Sequence, residues 1–551
     1  MSSPTPIARE SPAPEVVDYV VVGAGASGAA LAARLTEDGT NTVLLLEAGG
    51  VDKKAEVHIP AAFSALFRSD LDWNYDTTAQ PALGGRTIYW PRGKMLGGSS
   101  SLNAMMWVRG FAADYDRWAE AAGPGWSYHS LLPYFRSVER VEGNTDPDQG
   151  SGGAISIEHQ RSPRSHTATF LKAVTQAGYR VVAPNTALPD GFSQTMVSQK
   201  RGKRFSSADG YLRPSDGRRT LSVRTSAHAT RVLFEGTRAV GVEYLIGGVT
   251  RTVTARREVV LCGGAVNTPQ LLMLSGIGPA EDLTAHGIPV LVDAPEVGRN
   301  MRDHLLSGLI IETSGDTLFT AKRLSELASF LARGRGMLTS NVAEAYGFVR
   351  SDPTLELPDI EIIFAPVAFI GEGLVPAPAH ALTLGAILLQ PQSTGTITLA
   401  SGDPLDKPII DPKYLSDAGG KDRAALMAGL GICEDILAAP ALRSTTGPHF
   451  LAPEGADTLG RMERDTIALE KYAHTLYHPV GTARMGTDSA SVVDEELRVR
   501  GVTGLRVADA SVMPDIIRGH TQAPAMVIGE KAADLLLHSA KSGSPAAAPV
   551  G

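Results

Sequence analysis

The chain has 551 residues, 43% apolar and 20% charged, with a formal net charge of −8. That is an ordinary globular composition with room for two to four folding units at roughly 100–200 residues each; nothing in its charge balance favours a nucleic-acid binder, which leans on clustered Lys and Arg against phosphate. Two cysteines, Cys262 and Cys433, allow one disulfide at most and no cysteine-based metal set, and fit a reducing cytoplasm.

The first residues, MSSPTPIARESPAPE, lack the apolar core of a secretory signal and read as a Pro/Ser-rich tail, as does SGSPAAAPVG at the other end. No apolar run reaches the about 18 residues of a membrane span. VVDYVVV (16–22) predicts a buried parallel strand, AALAARLTED a helix stopped by Gly39, and TVLLLE (42–47) a second buried strand. Together they make a β-α-β unit. Between the first strand and the helix, Gly23, Gly25 and Gly28 form G-x-G-x-x-G. The first glycine permits the tight turn, the second lets the backbone approach a pyrophosphate, and the third lets helix and strand pack closely. The helix N-terminus offers free N–H groups to the phosphates. Glu47, 19 residues after Gly28, ends the second strand, where a carboxylate accepts ribose hydroxyls and repels a 2′-phosphate. This pattern predicts a bound dinucleotide and leaves NAD and FAD both open.

Residues 60–110 are irregular and rich in Gly, Trp and Arg. Within PRGKMLGGSSSLNAMMWVRG (91–110), four small residues, 98–101, suit a backbone passing very close to a ligand. Residues 150–235 mix turns with short strands. EVVLCGG (258–264) predicts another buried strand, and AVNTPQLLMLSG a helix stopped by Gly276, within the longer stretch GGAVNTPQLLMLSGIGP (263–279). From 315 to 470 the character changes: IEIIFAPV and TGTITLAS alternate as antiparallel strands do, and LSELASFLARG and RAALMAGLGICEDILA read as helices. HTLYHPVGTARMG follows, then one more strand at 505–508 and RGHTQAPAMVIGEKAADLL, a histidine before a long apolar helix. A metal site on His474 and His478 is not expected, because the glutamate of H-E-x-x-H is missing and Pro479 breaks the required helix.

The nucleotide fingerprint, the stretches at 91–110 and 263–279, HPVGTARMG and HTQAPA together resemble the glucose–methanol–choline (GMC) oxidoreductase family, in its choline-dehydrogenase-like bacterial branch. The resemblance covers residues 16–305 and 390–537. It implies a mixed α/β fold: a Rossmann-like FAD-binding domain at 16–160, 205–314 and 471–537, and an inserted substrate domain of antiparallel sheet plus helices at 161–204 and 315–470. Residues 1–15 and 538–551 are left as tails. The implied cofactor is FAD, with Gly23, Gly25, Ala26, Ser27 and Gly28 at the pyrophosphate, Glu47 and Ala48 at the adenosine ribose, and Ala229 at the adenine. Gly97, Gly98, Asn103, Ala104 and Met105 fall at the flavin, and Asp509 and Ala510 return to it from the last strand. Leu102 stands where some relatives carry a histidine bonded to the flavin, so the FAD is expected to be non-covalent.

The resemblance makes His478 and His520 the catalytic pair. Oxidising an alcohol removes a hydride from carbon and a proton from a hydroxyl about as acidic as water, near 15.7. An imidazole near 6.5 therefore takes the proton as the hydride leaves; such a base contributes typically 10²–10⁴-fold. His478 is expected to be this base and His520 the orienting partner, with the reverse assignment left open; many relatives of this branch carry Asn at the second position, so His520 departs from them and matches family members with a His–His pair. Thr521, Gln522 and the helix behind them are expected to face the flavin's N1–C2=O edge, where reduction places negative charge. Glu344 is a candidate partner for a cationic substrate or an ion-paired strand-end carboxylate. His304 and His474 read as histidines satisfying backbone carbonyls. The expected function is FAD-dependent oxidation of an alcohol CH–OH group, a primary alcohol going to the aldehyde, with dioxygen, a quinone or another carrier as electron acceptor. The alternative is a non-redox lyase that retains FAD. Oligomeric state is open.

Overall fold

The computed structural model describes residues 16–542. The tail expected at 1–15 and residues 543–551 lie outside the described residues. The helix Gln522–Ser542 runs on through 538–542, where a tail was expected.

Two sheets organise the fold. The first is built on the β-branched runs of the β-α-β unit. Its strand order is Leu221–Arg224, Val43–Leu46, Val16–Val22, Val249–Leu261, Arg238–Ile246, Ala227–Glu235, and Leu505–Val507 also pairs with Val249–Leu261. Val249–Leu261 changes partner along its length. Residues 249–254 pair antiparallel with Arg238–Ile246, while 259–261 pair parallel with Leu505–Val507. The last strand is thus inserted into the sheet begun by the first, and both ends of the chain share one core.

Helix Ala26–Leu35 lies on this sheet, and the terminal helix packs across it. The approach is close because Gly529 has no side chain: a Cβ there would lie 2.3 Å from the carbonyl oxygen of Ser27. The Ser27 hydroxyl also donates to the carbonyl of Ala525 at 2.7 Å.

The second sheet is antiparallel, in the order Thr446–Ala452, Leu305–Thr313, Ala381–Leu388, Ile360–Ala365, Ala345–Val349, Phe192–Gln194. Strand Leu305–Thr313 pairs in this sheet, in register with Ala381–Leu388. His474–Thr475 pairs with the start of the same strand. Side chains alternate across a strand, and here the alternation separates two surfaces. Leu305, Leu309, Ile311, Ile362, Phe364, Leu382 and Leu384 lie in one buried cluster with Leu426, Leu430 and Ile436 of helix Lys421–Ala438. Leu306, Gly308, Ile310, Ile363, Ala365, Thr383 and Gly385 line a cavity on the other face. Gly308 and Gly385 are directly paired, so a stretch of cavity wall is bare backbone.

Candidate active site

The cavity between the two sheets has a volume of about 540 Å³. It runs from Gly23, Glu47 and Ala229 past Ser99–Met105 to His478 and His520. At the nucleotide end Gly23 has φ +102°, and a Cβ on it would lie 2.4 Å from the Cys262 carbonyl oxygen. Gly25 faces open space, with no atom within 4 Å of a built Cβ; this is the room a phosphate oxygen needs beside the helix N-terminus. Gly28 does not face the cavity. A Cβ there would lie 1.9 Å from the Gly23 carbonyl oxygen, so its role is helix–strand packing. Gly97 also stands behind the lining, its φ of +85° and the Ser101 hydroxyl leaving no place for a side chain. Glu47 accepts N–H bonds from Ala24 and Gly49, both at 2.9 Å. Burial pushes its carboxyl up to about 7, against those two bonds and Lys94.

Ala26, Ser27, Ala48, Gly98, Asn103, Ala104, Met105, Ala229, Asp509, Ala510, Thr521 and Gln522 all line the cavity. The Asn103 amide donates to the Gln522 carbonyl oxygen, joining the signature at 91–110 to the terminal helix. Asn103 Oδ1 accepts from the fully buried Arg204 at 3.0 Å. Burial drops the Arg204 guanidinium to about 9. Asp509 closes the other side, accepting from the Gly264 N–H at 2.8 Å and the Thr268 hydroxyl at 2.6 Å. Four non-glycine residues on the wall hold left-handed backbone: Met105 (φ 56°), Val342 (φ 75°), Glu372 (φ 55°) and Tyr477 (φ 68°). Such strain persists where surrounding structure enforces it, commonly at active sites.

At the far end the His478 and His520 rings meet with centroids 4.7 Å apart at 70°. The turn before His478 is anchored from below by buried Asp303. One of its oxygens accepts the His478 N–H at 2.7 Å and the other the Thr475 hydroxyl at 2.6 Å. His520 Nε2 donates to Glu361 Oε1 at 3.1 Å. His304, expected only to satisfy a backbone carbonyl, does so through Nε2 to Leu389 at 3.2 Å, and its Nδ1 also lies 3.0 Å from Nδ1 of His478.

That pair of contacts fixes the protons. A carbonyl only accepts, so His304 Nε2 carries its hydrogen, and a neutral His304 then has a lone pair at Nδ1. Burial holds His304 neutral, down to about 3. His478 must therefore donate from Nδ1, which leaves Nε2 as its free lone pair. Burial, reinforced by the neighbouring His520, His304 and Arg92, holds the His478 ring well below its ordinary range. A base at this position would have to be unprotonated to act, and its activity would fall as pH drops through its pKa. The acid limb of substrate oxidation is thus expected below pH 6.5, on the acid side of a free imidazole; a rate–pH profile checks this.

Glu344 is not in this site. It is buried, does not line the cavity, and receives bonds from the Ser340 hydroxyl (2.6 Å), the Thr167 hydroxyl (2.5 Å) and the Arg164 N–H (2.6 Å). It ties loops together and cannot face a cationic substrate. Asp303, His304 and Glu361 are the residues that sequence reasoning missed. Glu361 carried a usable signal: a lone carboxylate in the apolar strand IEIIFA must have a partner, since unpaired buried charges are too costly. Among the described residues no group of His, Cys, Asp and Glu could hold a metal ion, and both cysteines are free and buried.

A Rossmann-type phosphate turn, a buried carboxylate just past the second strand and a long cavity ending at two imidazoles fit an FAD-dependent oxidoreductase of CH–OH donors. The comparisons agree. The GMC oxidoreductase N- and C-terminal family models match residues 17–306 and 391–529, and the chain belongs to the GMC oxidoreductase family. It is 57% identical to an uncharacterized GMC-type oxidoreductase of Mycobacterium tuberculosis over 94% of this chain and 99% of that one. It is 41% identical to human mitochondrial choline dehydrogenase, over 94% of this chain and 89% of the relative. The crystal structure of pyridoxine 4-oxidase from Mesorbium loti superposes with a TM-score of 0.85 at 30% identity, covering 95% of this chain and 99% of that one. The choline-dehydrogenase-like resemblance and FAD as cofactor both stand. Leu102, buried on the wall, offers no nucleophile. All of the yellow chromophore is therefore expected in the supernatant after acid precipitation, read by its absorbance; colour remaining in the pellet would mean a covalent link.

Proposed function

We propose that the protein oxidises a primary alcohol to the aldehyde, with His478 as the base and His520 orienting the substrate oxygen. The observation that carries this is the Nδ1-to-Nδ1 contact of His304 and His478 at 3.0 Å, which leaves the His478 Nε2 lone pair for the hydroxyl proton. Bound FAD supplies the two-electron acceptor that takes the hydride from the alcohol carbon. Gly23–Ser27 and Glu47 would hold its nucleotide end, while Asn103–Met105, Thr521 and Gln522 would frame its reactive end. His520, fixed by Glu361, keeps the hydroxyl in line, a proximity effect. Neither imidazole needs to deprotonate the alcohol in advance; Nε2 takes the proton as the carbonyl forms.

The walls beyond the histidines favour an apolar substrate. Phe63, Phe67, Leu306, Ile310, Phe369 and Leu476 line them, and charge is confined to Arg86, Arg92, Glu372 and Lys471. Glu344 is locked elsewhere, and the carboxylate of Glu372 shares these walls with three cations, Arg86, Arg92 and Lys471, so a neutral alcohol is a better fit than a quaternary ammonium. A quinone, dioxygen or another carrier then reoxidises the enzyme, and the two free cysteines fit a cytoplasmic setting. Anaerobic addition of primary alcohols tests the reading. Bleaching of the flavin band with aldehyde formed is the expected result; turnover without bleaching would make the enzyme a lyase.

A further inference from the structure

Helix Leu324–Arg333 is turned the wrong way for a soluble helix. On a period of 3.6 residues, Leu324, Leu327, Ala328 and Leu331 share one face. That face points outward: Leu324 is 82% exposed, Leu331 64% and Leu327 38%. The inward side holds Phe330, which is buried, and Glu326, whose carboxylate accepts the Met337 N–H at 2.7 Å. An amphipathic helix normally buries its leucines and wets its polar side; this one does the reverse.

The surroundings of the helix are strongly basic. Lys322 and Arg323 precede it, Arg333 and Arg335 end it, and the hairpin at 199–204 adds Lys200, Arg201 and Lys203, all seven exposed. The hairpin abuts the helix end, since a Cβ on Gly334 would lie 2.4 Å from the Arg201 carbonyl oxygen. The Lys203 ammonium lies 6.0 Å from the Phe330 ring. None of the seven forms an ion pair among the described residues, although other exposed arginines, such as Arg180, Arg231 and Arg256, do. The acids nearby are already engaged: Glu326 as above, Asp316 with Arg164, and Glu158 with Arg161. A protein of net charge −8 thus carries a local block of uncompensated positive charge around an outward apolar stripe.

We propose that this helix and its basic rim dock on a membrane surface bearing anionic lipid headgroups. An apolar face rimmed by Lys and Arg is the pattern of a helix that lies in the interfacial plane, leucines in the acyl boundary and cations at the headgroups. A second copy of the chain is the poorer occupant. A two-fold contact would set the same patch against itself and bring two clusters of seven cations together. The patch is joined to the cavity wall. The helix leads through the turn Met337–Thr339 to Asn341–Ala343, which line the cavity, and that turn packs on Pro60–Leu66, which contributes Phe63 to the same wall. Exposed Leu374 and Val375 lie one glycine beyond the lining residues Ile370–Glu372. A docked protein would meet apolar molecules dissolved in the bilayer close to that wall. No helix among the described residues is long and apolar enough to cross a membrane, so the contact is with one surface.

Cosedimentation of the full-length FAD-loaded protein with vesicles tests this. Phosphatidylcholine vesicles containing phosphatidylglycerol should carry the protein down, pure phosphatidylcholine much less, and salt should release it. Leu324→Ser with Leu331→Ser, and separately Lys322→Glu with Arg323→Glu, should each weaken binding at least about tenfold, with FAD content and turnover of a water-soluble alcohol unchanged. Absence of binding to the anionic vesicles overturns the proposal, as do variants that bind like the parent. A change of oligomeric state in either variant, seen by light scattering on a sizing column, would assign the face to a subunit contact and also overturn it.

Discussion

His478→Ala is expected to slow anaerobic reduction of the enzyme by its alcohol by about 10²–10⁴-fold, the usual worth of a positioned base, at unchanged FAD content. The FAD content should hold because the nucleotide end of the cavity, Gly23 to Glu47, is built by the first sheet without any part of the HPVG turn. The His478 backbone N–H remains in the variant to hold Asp303, so the turn keeps its anchor. Stopped-flow absorbance of the flavin band measures the rate. A near-native rate would remove His478 as the base and pass the role to His520, whose Nε2 is already committed to Glu361.

The second large effect is expected at a residue that lies one shell behind the cavity. His304→Leu removes the acceptor that the His478 Nδ1 hydrogen finds among the described residues. The ring is then free to present a hydrogen instead of a lone pair to the substrate, and misdirecting the tautomer of a catalytic imidazole costs up to the order of 10⁴ in rate. The stranded buried N–H also costs about 1–3 kcal/mol of stability. His304→Asn distinguishes positioning from packing, because its amide oxygen can accept the same hydrogen bond and should recover much of the rate. Equal rates for wild type and His304→Leu, with only the melting temperature lowered, would reduce His304 to a packing residue.

The nucleotide half was legible because its chemistry is local. Gly23, Gly25 and Gly28 lie within six consecutive residues, and the strands on either side announce themselves as β-branched runs. Gly28 serves packing, as the third glycine of the fingerprint is expected to, whereas the place of Gly97 behind the lining shows only once Ser101 is in position beside it. The substrate half was less legible because it is made by pairing across long separations. Leu305–Thr313 reads as a continuation of the segment before it, and only its register with Ala381–Leu388 places it in the second sheet. His304 meets His478 across 174 residues, and Glu361 meets His520 across 159; no periodicity links such partners. Glu344 illustrates the opposite error. A carboxylate in an apolar stretch looked available to a cation, and its three donors come from 164–167 and 340, segments whose convergence the sequence does not show.

The account depends on the tail of the chain folding back so that His478 and His520 face the reactive end of a cofactor held by its head. A crystal structure of the FAD-loaded protein measures that directly. It should show the isoalloxazine ring beside Asn103–Met105 with Nε2 of His478 turned toward it and Nδ1 still on His304. A ring lying elsewhere, or His478 turned away with its Nδ1 contact broken, would contradict the account.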